Sequence, residues 1–291
     1  MIRPRRSALY MPGSNARAIE KARSLPADAI ILDLEDSVAS DQKSGAREQV
    51  ASAVRAGGFG HREIVVRINA LNSEWGREDL AQAASAGPDA ILLPKVSTPG
   101  DITMAARALV EAGAPERTRI WAMLETPLAI LNSDSIARTA ADPAARLDVF
   151  IMGTNDIAKE TRARMVPGRG PMLSWLSTCV LAARAHGVDI LDGVYNELAN
   201  PDGLRNECAQ GRDLGMDGKT LIHPNQIATA NEIFAAQDDE VEWARRVIAA
   251  FELPENASRG AISLDGKMVE RLHAEMAGRT IAIAEAVARR D

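Results

Sequence analysis

Two acidic residues stand where chemistry could be done. Glu125 directly follows the apolar run Ile120–Leu124, and Asp156 follows the next run, Val149–Met152, after Gly153-Thr154-Asn155. Either carboxylate alone suits the N-cap of a following helix. As a pair on neighbouring strand ends they would repel, and the pKa of one would rise. A hard divalent cation relieves that repulsion, and Mg²⁺ commonly takes one or two carboxylates and completes its shell with water and substrate. The pairing predicts a metal site on Glu125 and Asp156, with Mg²⁺ as the ion and Mn²⁺ as a substitute. Arg67 closes a third apolar run, Ile64-Val65-Val66. Its planar fork would bind a carboxylate or a developing oxyanion if it points inward; a surface salt bridge is the alternative.

Other polar residues group around these. In Asp33-Leu34-Glu35-Asp36, strand alternation puts Asp33 and Glu35 on one face and Asp36 on the other. Glu35 and Asp36 are expected behind the ion, orienting water or basic partners. His223-Pro224-Asn225-Gln226 reads as readily as a turn with a structural imidazole as it does as a ligand. Ser14 can cap the first helix. Arg17 and Lys21, four apart, share one face of it, which spacing alone makes a solvated basic face.

The elements that must position these residues are legible as periodicity. Short, continuously apolar runs fit parallel strands buried on both faces: Ser7–Met11, Ala29–Leu34, Ile64–Ile68, Ala90–Pro94, Ile120–Leu124, Val149–Met152, Asp189–Val194 and Lys219–Ile222. Helical stretches separate them, at Ala16–Arg23, Lys43–Ala56, Glu78–Ala86, Ile102–Glu111, Leu173–His186 and Asp202–Leu214, often closed by Gly or Pro. Eight βα units predict a TIM (β/α)₈ barrel. An open dinucleotide-binding sheet is disfavoured, because Pro12-Gly13-Ser14 rather than G-x-G-x-x-G follows the first strand.

In a barrel the active site forms at the C-terminal ends of the strands. The reactive side chains gather at those ends: Asp33 to Asp36, Arg67, Lys95, Glu125, Asp156, Tyr195 and His223. The strand starts carry no comparable set. Past about Phe234 the strand signal stops. Val241–Phe251 and Lys267–Arg290 read as two helices, too few for a core of their own. The expected organisation is a barrel over residues 1–236 and a helical extension over 237–291, packed on the barrel or on a neighbouring subunit.

Composition excludes several classes. Thirty-four Lys+Arg against 40 Asp+Glu give a net charge of −6, and no basic block offers a nucleic-acid surface. Cys179 and Cys208 are the only cysteines, too few for a disulfide framework, and read as core residues. No apolar run is long enough to span a membrane, and no apolar segment follows the basic N-terminus, so the expected setting is cytoplasmic. With only 3% aromatics, the core must be built from Ala, Ile, Leu and Val.

Motif order then brings a family into view. Arg6-Ser7-Ala8-Leu9-Tyr10-Met11-Pro12-Gly13, Asp33-Leu34-Glu35-Asp36-Ser37-Val38-Ala39 with Lys43 and Ala46-Arg47, and Val66-Arg67-Ile68-Asn69 resemble the citrate lyase β-subunit-like (CitE-like) proteins of the HpcH/HpaI aldolase superfamily. So do Leu124-Glu125-Thr126-Pro127, Gly153-Thr154-Asn155-Asp156-Ile157-Ala158 and Gly218-Lys219-Thr220-Leu221-Ile222-His223-Pro224-Asn225-Gln226. The resemblance covers nearly the whole chain in order. It implies a TIM barrel assembled as a homotrimer or homohexamer, with the C-terminal segment reaching a neighbouring active site. It implies Mg²⁺ on Glu125 and Asp156, and Arg67 on substrate oxygens. Tyr10, Arg17 and Lys21 match positions that contact coenzyme A, which reverses the solvated-face reading of that helix. Asn196 and Glu197 match a loop that touches substrate. In Asp265-Gly266-Lys267-Met268-Val269-Glu270 the chain carries Glu270 where several CoA-ester members carry Asp, a residue associated with thioester hydrolysis. The added methylene puts such a step in doubt, since a displacement near ~1 Å can cost on the order of 10²-fold in rate.

The implied reaction is retro-Claisen cleavage of a 3-hydroxyacyl-CoA of the malyl-CoA, citramalyl-CoA or β-methylmalyl-CoA type. Arg67 and backbone N–H groups around Gly153-Thr154 are the candidate donors to the developing enolate, and the base is left open between a metal-bound water and Glu270 from another subunit. Three alternatives stand beside it: a citrate lyase β subunit acting on citryl-carrier protein with partner subunits, an aldolase on free 2-oxo acid adducts, and a non-catalytic CoA-binding barrel.

Overall fold

The chain is described here by a computed structural model covering residues 3–256 and 258–290. The eight apolar runs form a closed barrel of parallel strands in sequence order: β1 (Ser7–Pro12), β2 (Ala29–Asp33), β3 (Glu63–Arg67), β4 (Ala90–Leu93), β5 (Arg119–Leu124), β6 (Leu147–Met152), β7 (Asp189–Asp192) and β8 (Gly218–Leu221). β8 pairs back onto β1, with Leu221 opposite Leu9. Closure leaves no unpaired edge. Helices α1 (Ala16–Ala22), α2 (Lys43–Ala56), α3 (Gly76–Ala86) and α4 (Pro99–Glu111) make the first crossovers. α5 (Pro127–Leu131), α6 (Ser133–Ala137), α7 (Thr154–Thr161), α8 (Leu173–Ala185), α9 (Pro201–Asp213) and α10 (Ile227–Phe234) follow.

Alternation decides what fills the barrel. Inward positions of successive strands carry Ala8, Ile31, Val65, Leu92, Trp121, Met123, Val149, Ile151 and Leu191, all buried in one cluster. Burial of an Ile, Leu or Val side chain stabilises by about 1.5–3 kcal/mol. At the N-terminal end Arg5 is buried, bonded to Glu63 and Asp189 and stacked 5.3 Å from the Trp121 ring centroid. Polar residues do occur at the strand starts, then, but they are bonded to one another.

Three expectations are corrected. The first helix is capped by Asn15, whose Oδ1 accepts from Ala18 N at 3.0 Å, and not by Ser14. β7 ends at Asp192 and not Val194, so Tyr195 lies in the following loop and the polar end of that strand is Asp192. Strand structure also resumes after Phe234. Beyond α11 (Asp238–Glu252), β9 (Ala261–Leu264) and β10 (Lys267–Glu270) form an antiparallel hairpin before α12 (Arg271–Ala288). Its turn is Asp265-Gly266, both at positive φ (50° and 74°), the Asp-Gly signature of a tight hairpin.

The chain divides into two compact units, residues 5–231 and residues 3–4 with 232–290. The second has an apolar cluster of its own, with Val247 and Phe251 of α11, Ile262 and Val269 of the hairpin, and Ala277 of α12. The hairpin supplies the apolar surface that two helices alone would lack. Among the described residues, no helix is long and apolar enough to cross a membrane.

Candidate active site at the barrel mouth

The same alternation that fills the barrel delivers the site. Above Met123 on β5 the next inward position is Glu125; above Ile31 on β2 it is Asp33; above Val65 on β3 it is Arg67; above Ala8 on β1 it is Tyr10. These four residues line a cavity of ≈ 300 Å³ at the C-terminal mouth, together with Gly153, Thr154, Asn155, Asp156 and Asn196. That is the lower end of the usual ~300–1,000 Å³ for small-molecule sites.

Arg67 and Asp33 are register partners across β3 and β2. The guanidinium meets the carboxylate side-on, Nε to Oδ1 at 2.6 Å and Nη2 to Oδ2 at 2.6 Å. Against the effect of burial, Arg67 holds the Asp33 carboxyl below its ordinary value. The fork that the sequence offered to substrate is therefore spent on Asp33, and Nη1 is drawn toward two further carboxylates. Nη1 approaches Glu35 Oε2 at 2.8 Å and Asp36 Oδ2 at 3.4 Å. The approach to Glu35 lies off the hydrogen-bond direction, so Oε2 is buried without a hydrogen bond. Burial, with Asp36 and Asp33 adding to it and Arg67 opposing, pushes the Glu35 carboxyl up to about 7. The Arg67 guanidinium lies 4.8 Å from the centroid of the half-buried Tyr10 ring.

Glu125 is 3% exposed. Neither it nor Asp156 is a helix cap: Thr126 caps α5, accepting from Ala129 N, and Gly153 stands at the N-cap of α7. Among the described residues one donor reaches Glu125, the Lys95 N–H, at 2.7 Å from Oε1. Burial, then the Glu35 and Asp156 carboxylates, push Glu125 up to about 8. Asp156, in the first turn of α7, meets Lys95 Nζ at 3.5 Å. A half-open cluster of carboxylates in which one is driven to hold a proton fits a divalent cation. Among the described residues no three His, Cys, Asp or Glu side chains gather into a full cage, so water and ligand would supply the remaining oxygens.

Gly153 is the residue that lets Glu125 stand there. A Cβ on it would fall 2.2 Å from Glu125 Cβ and 2.7 Å from Oε2. Gly153→Ala should therefore push Glu125 off its position and lower turnover by about 10–100-fold, at a stability cost of about 1–3 kcal/mol. Steady-state kinetics and urea denaturation check this, and unchanged kinetics would refute it. The Gly153 N–H donates to Leu124 O at 3.0 Å, which removes it as an oxyanion donor and corrects that expectation. The N–H groups of Thr154, Asn155 and Asp156 open α7 and have no carbonyl four residues back.

The other expected site residues lie further out. Asn196 pairs with Asn155, Nδ2 to Oδ1 at 2.8 Å, and lines this cavity and a second of ≈ 470 Å³. Glu197 lines only the second, beside Tyr195 and Asn200. Arg17 and Lys21 are exposed on α1 and line neither cavity, whereas Tyr10 lies in the mouth itself. His223 caps a short turn, its Nδ1 accepting from Asn225 N. Glu270 belongs to the second unit, where it N-caps α12 and its N–H donates to His273 Nδ1 at 2.9 Å. Both cysteines are buried.

Two supporting networks escaped the sequence reading. Lys43 Nζ donates to Leu34 O, Glu35 O and Asn69 Oδ1 at 2.7–2.8 Å, and Asn69 and Arg47 both bond Asp79. This ties α2 and α3 to the loop that carries Glu35 and Asp36. The spacing of Lys43 and Arg47, four apart on one helix face, was the available signal. On the far side, fully buried Asp192 bonds Lys219 Nζ at 3.0 Å and Arg169 Nη1 at 2.6 Å. Asp192 and Lys219 meet only because β7 and β8 pair, with the two residues in register.

Residues 6–224 match the family model HpcH/HpaI aldolase/citrate lyase. A protein named (3S)-malyl-CoA thioesterase from Cereibacter sphaeroides is 51% identical over 285 residues, covering 98% of this chain and 96% of that one. Citrate lyase subunit beta of Escherichia coli is 36% identical over 273 residues, covering 92% of this chain and 89% of that one. The crystal structure of protein CitE from Mycobacterium tuberculosis in complex with magnesium, acetoacetate and coenzyme A superposes with a TM-score of 0.77 at 28% identity, covering 97% and 98% of the two chains. As the order of motifs predicted, the chain belongs to the HpcH/HpaI aldolase/citrate lyase family, a family of carbon–carbon lyases.

Proposed function

We propose that this chain is a Mg²⁺-dependent enzyme that cleaves a malyl-CoA-type 3-hydroxyacyl-CoA to acetyl-CoA or propionyl-CoA and a short 2-oxo acid. Citramalyl-CoA and β-methylmalyl-CoA are the sister substrates. The reading rests above all on Glu125 and Asp156 entering one cavity with Arg67. It is supported by relatives named for malyl-CoA and for a complex with magnesium and coenzyme A.

Glu125 and Asp156 would hold the ion, which when bound supplies Lewis acidity toward the hydroxyl and carboxylate oxygens of the substrate. Arg67 and the N–H groups of Thr154, Asn155 and Asp156 face the charge that develops on the thioester oxygen as the carbon–carbon bond breaks. Glu35 Oε2, free of hydrogen bonds, can hold or release a proton near neutral pH. Asp33 and Asp36 keep Arg67 in place. Tyr10, Arg17 and Lys21 are assigned to the coenzyme A portion of the substrate, and Asn196 and Glu197 to the loop along which the thioester arm runs. A homotrimer or homohexamer in the cytoplasm is part of the same reading.

The purified chain should release 2-oxo acid from a panel of hydroxyacyl-CoA esters, lose that activity with EDTA and regain it with Mg²⁺. Release from citryl-carrier protein but not from free CoA esters would favour the citrate lyase β role, and turnover of free acids without calorimetric binding of coenzyme A would favour a plain aldolase.

A second reading is favoured by the name of the 51% identical relative: hydrolysis of the thioester to the free hydroxy acid and coenzyme A. Products separate the two, since hydrolysis frees a thiol and cleavage does not. Glu270 is the residue proposed for that step. Glu270→Gln should lower thiol release by about 10-fold or more and leave 2-oxo acid release within about threefold. Equal loss of both would reassign Glu270 to cleavage. A panel yielding neither product would overturn both readings.

A further inference from the structure

Lys95 touches both members of the carboxylate pair, with its main chain and its side chain. Its N–H donates to Glu125 Oε1 at 2.7 Å, and its Nζ lies 3.5 Å from Asp156 Oδ1. It follows β4 in the left-handed region, φ 54°, which non-glycine residues seldom adopt. Glycine would deliver the same N–H without steric cost, so the N–H alone does not account for a lysine at this position. Arg67 is committed to Asp33, and among the described residues Lys95 is the one cation paired with Asp156. Its side chain is 45% exposed, which gives the stem room to leave.

We propose that Lys95 is a positioning residue for the metal site: its main chain orients Glu125, and its ammonium is a tethered counter-cation that neutralises Asp156 until a divalent ion displaces it. The inference rests on the metal reading above. A single positive charge beside an incoming double one opposes it, so the ammonium must swing away from Oδ1 and binding is weakened by that repulsion. The same charge keeps the mouth from standing as an unbalanced group of carboxylates when no ion is bound.

The test is Mn²⁺ binding to the full chain without substrate, read as loss of the free-ion EPR signal. Lys95→Met, which keeps length and loses charge, should bind Mn²⁺ about 3–10-fold more tightly than wild type at low ionic strength. The gap should close as salt is added. Lys95→Gly, unstrained at this φ, should keep the N–H to Glu125 and behave like Lys95→Met, while Lys95→Arg should stay near wild type. A merely structural lysine predicts the reverse, weaker binding in the neutral variants. Equal or weaker Mn²⁺ binding by Lys95→Met and Lys95→Gly overturns the inference. A wild-type chain that binds no Mn²⁺ overturns the metal reading itself, and the inference with it.

Discussion

Glu125→Gln should lower turnover by about 10³-fold or more, worth about 4 kcal/mol of barrel-mouth chemistry, while leaving the fold at least as stable as wild type. The two halves have one cause. Glu125 is buried beside Glu35 and Asp156, and its carboxyl is pushed up to about 8. A group so placed costs stability whenever it ionises without a cation, and a neutral amide of the same shape does not carry that cost. The pH dependence follows. Between its unfolded value near 4.5 and its folded value near 8, the folded state holds a proton that the unfolded chain has released. Stability of the metal-free protein must then fall as pH rises through that window, by on the order of a few kcal/mol. Glu35, pushed up to about 7, adds a slope of the same sign. Urea melts of EDTA-treated protein at about pH 5 and about pH 8.5 should show this loss, Mg²⁺ should restore stability at the higher pH, and Glu125→Gln should flatten the slope. Activity surviving in Glu125→Gln, or an unchanged slope, would refute the assignment.

What the sequence made legible and what it hid divide along a physical line. Parallel barrel strands are buried on both faces, so runs such as Ile64-Val65-Val66 declare themselves, and a charged residue closing such a run declares a mouth position. Arg67 and Glu125 are both legible as mouth positions on that ground. What Arg67 touches depends instead on register: Asp33 stands opposite it across two strands separated by α2, and no local pattern encodes that pairing. Lys219 and Asp192 are hidden for the same reason, each unremarkable until β7 and β8 lie side by side. The hairpin at 261–270 was missed for a different cause. Its strands are four residues each, shorter than a convincing alternation, and Lys267 to Glu270 run on into the apolar periodicity of α12. Asp265-Gly266 was the stronger signal, because turn chemistry is local where strand pairing is not.

The position of Asp33 sets up the last prediction, since it gives Arg67 two roles that a single substitution would confuse. Arg67→Met should abolish measurable turnover, by about 10³-fold or more, and destabilise the barrel by about 3–5 kcal/mol. The stability loss arises because Asp33, 1% exposed, is left charged without its partner. Arg67→Met with Asp33→Asn removes the stranded charge and should recover most of the stability, read from urea midpoints. Turnover should not return, because the guanidinium that lines the cavity is still missing. Arg67→Lys should not rescue either, as a point charge cannot hold Asp33 side-on and also present donors to the substrate. Were the double variant to regain activity along with its fold, Arg67 would be a counter-ion for Asp33 and nothing more, and the donors for the developing charge would have to be sought in the first turn of α7 alone.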